Sequence, residues 1–180
     1  MRLYLAALDA NGYTRLLPIA QNMSRLDELR RLELHMKYPR NAPVPMGQLY
    51  GEMERVEALL LDTAEQVAIR AEDLFDDKDE GLEESAYMFL TSAFERARPS
   101  VKPMFMELGA GIISADRLKA LYPQYMNLIS SLNMEEFTAH LATIHKRISA
   151  EVFRRAITKY NDMLAYCVQN NYALLSCVTD

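Results

Sequence analysis

The chain has 180 residues, half of them apolar and a quarter charged, with only six Gly and seven Pro. That is the size of one domain and enough to bury a real core. It contains no run of about 18 apolar residues, which argues against a transmembrane helix. The net charge of −5 is unevenly placed: residues 51–95 carry 3 Lys+Arg against 14 Asp+Glu, whereas each flank nets +3. The split points either to internal complementarity or to an acidic surface for a basic partner, with solvated helix faces beside an acidic turn as the plainer reading.

In chain order, the first 20 residues, "MRLYLAALDANGYTRLLPIA", are not read as a signal peptide, because Asp9 interrupts the apolar run and no small-residue cleavage site follows. "DANGY", flanked by "LYLAAL" and "TRLLPI", predicts a short hairpin or an extended segment lying on helices. Ser24 with Asp27 opens a predicted helix over 24–38, striped by Leu26, Leu29, Leu32 and Met36. "PRNAPVP" (39–45) stops it, and a Pro-rich connector runs to residue 46.

Leu49, Met53, Val56, Leu60, Thr63, Val67, Ala71 and Leu74 recur at spacings of three and four, predicting one long amphipathic helix over 47–75. An acidic turn at 76–81 follows. Residues 82–98 are apolar over most of a helical circumference and predict the central helix of the fold, and "GAG" (109–111) ends a brief helical piece after Pro103. Ser114 caps a predicted helix through residue 131, with a kink or break expected near Tyr122 because Pro123 falls inside it. Asn133 with Glu136 opens another, and the last predicted helix covers 150–176 on Phe153, Ile157, Tyr160, Leu164 and Cys167.

Tests for chemistry are mostly negative. Setting Gly81 at position 6 of an EF-hand loop puts Lys78 at position 3 and Tyr87 at position 12, where ligands belong. The acidic stretch therefore predicts no specific metal; Glu83 and Glu84 suit the first turn of a helix without one. His140 and His145 are five apart, about 140° around a helix, so one straight helix cannot aim both at one ion. There is no Glu-x-x-His pair, no G-x-S-x-G and no G-x-G-x-x-G, and no cofactor is expected. Cys167 and Cys177 on one helix would lie about 15 Å apart, too far for a disulfide, so reduced thiols and a cytoplasmic protein are expected. Cys167 is read as core and Cys177 as exposed and oxidisable.

Two groups remain as candidate binding residues. Met104, Phe105 and Met106 sit on an element too short to bury all three, and an exposed apolar cluster marks a partner site. Lys146, Arg147, Arg154, Arg155 and Lys159 form a basic stretch that a nucleic acid would use.

The reading is a single all-α domain over 1–180, an irregular bundle of five to seven helices. Its expected function is non-catalytic: a cytoplasmic helical interaction protein, acting as adaptor, regulator or assembly chaperone through apolar helix faces and an acidic surface, with no membrane. A nucleic-acid-binding regulator built on 145–159 and an enzyme with dispersed catalytic residues are the alternatives. A homodimer is expected on the helices at 47–75 and 150–176, whose stripes exceed what one small bundle covers, with Glu54 and Glu57 near Arg154 or Arg155 of the same or the other subunit.

Overall fold

A computed structural model describes residues 2–35, 46–74, 110–131 and 150–179. The elements are β1 (Arg2–Leu8), α1 (Ala10–His35), α2 (Met46–Val67), β2 (Ala68–Asp73), β3 (Ala110–Ile113), α3 (Ala115–Ser131), α4 (Ala150–Asn170) and β4 (Ala173–Thr179). The all-α expectation is overturned. Among the described residues, four helices flank a four-stranded antiparallel sheet of order β2-β1-β4-β3. The predicted helices at 82–98 and from 133, the connector at 39–45 and the acidic turn lie outside the described residues.

The sheet separates two helical layers. Tyr4, Ala6 and Leu8 of β1 and Ala173, Leu175 and Cys177 of β4 share one core with Leu16, Ala20, Met23 and Leu26 of α1 and Leu49, Val56, Leu60 and Ala64 of α2. Successive strand residues face opposite sides. Leu5, Ala7, Leu174, Ser176 and Ile113 are therefore turned the other way, where Leu118 and Tyr125 of α3 and Ala156, Tyr160, Met163, Leu164 and Cys167 of α4 are also buried. The contacts agree: α4 packs on β1, and α3 on β4 and α4.

Three junctions explain how the sheet escaped the pattern. The "DANGY" segment is not a hairpin turn. Asp9 is the N-cap of α1: its Oδ1 accepts the Gly12 amide at 2.7 Å, and its carbonyl accepts the Tyr13 amide at 2.9 Å. Gly12 serves close packing, since a Cβ there would stand 3.2 Å from the Val67 carbonyl oxygen. α1 then continues through Pro18 and Ser24, so the helix expected from Ser24 begins fourteen residues earlier, at Ala10.

The helix expected over 47–75 stops at Val67, and "AIRAED" becomes β2 without an intervening turn. β1 is buried on both faces and needs ladder partners along both edges; β2 supplies one, β4 the other.

The helix expected over 150–176 stops at Asn170. Asn171 takes a left-handed φ of 56°, its amide donating to the Val168 carbonyl at 3.4 Å and that of Tyr172 to the Cys167 carbonyl at 2.8 Å. This is a Schellman cap, and the chain leaves it as β4. α3 matches its expected span. Ser114 caps it, its Oγ accepting the Arg117 amide, and the helix is continuous through Pro123.

Candidate functional site

Edge strands carry backbone groups that a neighbour can satisfy, so the two edges of this sheet are where an extended partner fits. β2 and β3 are those edges among the described residues. α1 packs against β3, and the groove between them, about 390 Å³, is lined by Leu17, Gln21, Arg25 and Glu28 of α1 and Ile112 of β3.

β2 is built differently. Its register slips opposite Leu8, leaving Ile69 as an extra residue with no partner on β1. Such a bulge turns a strand locally and re-aims its side chains, and Ile69 is 47% exposed. Arg70 and Glu72 lie on the α4 side of the sheet, opposite Ala7 and Leu5. Ala71 and Ile69 are exposed. An open groove of about 330 Å³ runs along the strand, lined also by Tyr4 of β1 and Glu65 of α2.

Two cations hold the strand to α4. Lys159 Nζ donates to the Asp73 carbonyl at 3.0 Å. The Arg70 guanidinium lies 5.2 Å from the centre of the Tyr166 ring and makes a 3.1 Å ion pair with Glu72 on its own strand. Tyr166 is in turn backed by Tyr172 at 5.9 Å between ring centres. An arginine on an aromatic face keeps its charge while losing freedom. β2 thus presents a backbone edge already held in an extended shape, which lowers the entropic cost of accepting another strand.

The residues singled out from sequence fall elsewhere. Met104, Phe105, Met106, Lys146 and Arg147 lie outside the described residues. Arg154, Arg155 and Lys159 are all on α4, but only Arg154 is exposed; Arg155 and Lys159 are half-buried, and Lys159 is engaged with β2. The same-chain pairing of Glu54 and Glu57 with Arg154 or Arg155 is excluded, because α2 and α4 pack on opposite faces of the sheet. The apolar stripes of those helices are shorter than expected and meet the sheet within one chain. Glu52, Glu54, Asp62 and Glu65 of α2 are exposed.

The thiols do not offer a nucleophile. Burial pushes Cys167 up to about 12, only partly opposed by Arg70, and its Sγ lies 3.7 Å from the Ala173 carbonyl. A thiol so placed stays protonated at neutral pH. Cys177, expected to be exposed, is fully buried on β4. Neither cysteine forms a disulfide. Burial raises the Tyr160 and Tyr125 phenols as well, so they remain neutral.

β2 escaped sequence reasoning because Val67, Ala71 and Leu74 continue the three-and-four spacing of α2. The signal that could have separated them is the alternation Ile69, Ala71, Asp73 against Arg70, Glu72. No helix among the described residues is long and apolar enough to cross a membrane. The chain matches no protein-family model, no curated protein and no solved structure.

Proposed function

We propose that this chain is a non-catalytic protein-interaction module, an adaptor, regulator or assembly chaperone, that recruits a protein partner by adding an extended segment to the outer edge of β2. The observation that carries this reading is the strand itself: an edge with no neighbour among the described residues, held to α4 by Lys159 and Arg70. In strand addition the main-chain bonds supply affinity and the alternating side chains supply selectivity. Glu65, an exposed carboxylate near the end of α2, lines the groove and favours a partner with a basic residue beside its extended segment. Two buried cysteines held as thiols suit a reducing, cytoplasmic setting.

The test is affinity capture with wild-type chain and with an Ile69→Lys/Ala71→Lys double variant as bait, since lysines on an edge discourage strand addition. The expected result is a partner recovered by the wild type, lost with the variant, and slowing hydrogen exchange of the β2 amides in the isolated complex. Recovery indifferent to the double substitution would place the binding surface elsewhere and overturn the reading.

A further inference from the structure

We propose that the extended segment β2 accepts is the β2 of a second copy of this chain, paired antiparallel and centred on Ala71. This rests on the reading of the β2 edge as the partner-binding element and adds the identity of the partner and the register.

The register follows from symmetry. Two copies of one strand become antiparallel neighbours in a continuous sheet through a two-fold axis perpendicular to that sheet. Such an axis keeps each side chain on its own face. Directly opposed residues also share a face, so some residue must stand opposite itself. Ile69 is bulged out of the ladder, so the regular stretch is Arg70–Asp73, and two centres pair three of its residues: Ala71 and Glu72. Centring on Glu72 sets carboxylate against carboxylate, and like charges directly opposed are destabilising.

Centring on Ala71 sets Arg70 against Glu72 of the partner subunit, and Glu72 against Arg70 of the partner subunit. The strand is thus complementary to its own reverse, with an alanine at the axis. Arg70 and Glu72 already form a 3.1 Å pair within one strand, so dimerisation exchanges partners for charges that are already fixed in place. The two sheets then join into one of eight strands, counting the four described here.

Cysteine crosslinking reads the register directly. Residues opposed across an antiparallel pair have Cα atoms about 4.5–5.5 Å apart, within the roughly 4.4–6.8 Å a disulfide spans. Ala71 is exposed and both native thiols are buried, so they do not compete. Under mild oxidation Ala71→Cys is expected to give a covalent dimer at least tenfold faster than Ile69→Cys, which sits at the bulge and away from the two-fold axis.

In light scattering, Arg70→Glu and Glu72→Arg are each expected to weaken association about tenfold, and the Arg70→Glu/Glu72→Arg swap to restore it within about threefold. A wild-type mass that stays at 20.6 kDa up to about 100 μM, an Ala71→Cys chain that crosslinks no faster than Ile69→Cys, or a double swap as weak as the singles would each overturn self-pairing. Edge-dependent capture of a different protein alongside a monomeric chain would sink this inference and leave the proposed function standing. Edge-independent capture would sink that function by itself.

Discussion

Ser176 offers the sharpest test of the core. It lies on the central strand β4, opposite Leu5 on one side and Gly111 on the other, and is 2% exposed. Among the described residues its Oγ finds no hydrogen-bond partner. Burying a hydroxyl unbonded costs about 1–3 kcal/mol in proteins. Ser176→Ala removes that penalty and forfeits the dispersion contacts of one oxygen, each about 0.1–0.2 kcal/mol and several in number. The balance is a gain of about 1 kcal/mol, worth roughly 2–4 °C in a domain of this size. Urea unfolding should show a higher midpoint at unchanged slope, since the surface exposed on unfolding is the same. A loss of more than about 1 kcal/mol would show that the hydroxyl is bonded in solution and would refute its treatment as unsatisfied.

Asn171→Val should destabilise by about 1–2 kcal/mol, because a β-branched residue is strained at the left-handed φ of 56°, whereas Asn171→Gly should be neutral or stabilising in the same thermal melts. Gly12→Val should cost about 1–3 kcal/mol in urea, the added methyls driving α1 away from the Val67 carbonyl; an unchanged midpoint would show that this approach is loose. For Cys167 the folded value is raised, so its contribution is intact below the unfolded value near 9 and is lost as pH climbs towards about 12, where the unfolded thiol ionises and the folded one resists. Cys167→Ala should flatten that alkaline loss in pH-dependent melts, and iodoacetamide should label the native thiol at pH 8 only after urea is added.

The amphipathic part of the fold was legible. Leu49, Val56 and Leu60 were placed on the buried side of α2, and Ser114 as the cap of α3, because each helix has one face on the core and one in water. The sheet was not legible. β1 and β4 are covered by helices on both sides, so Tyr4–Leu8 and Ala173–Cys177 are buried without a break and show no alternation. A short apolar run of this kind extends a helical stripe as readily as it forms a strand. The cap that ends α4 was written in the sequence, an asparagine just past the last periodic residue, but "VQNNYALL" keeps enough apolar spacing to hide it. The β2 edge was hidden for the same reason, and its importance depends on a neighbour, β1, that lies 60 residues earlier in the chain.

The pairing of β1 with β4 has a consequence for biosynthesis. Arg2 stands opposite Thr179, so β1 leaves the ribosome long before β4 and waits for every element between them before its ladder can close. Closing a loop of that length costs about 3 kcal/mol more than closing a tight hairpin, on a logarithmic dependence on length. The α1–α2 hairpin, made of near-neighbour contacts, can settle long before the centre of the sheet does. In the interval β1 is a short strand, apolar on both faces and missing a neighbour, the kind of segment that other nascent chains capture. Its growing chain is therefore expected to need a holding chaperone, and to aggregate most readily when translation stalls between α3 and β4.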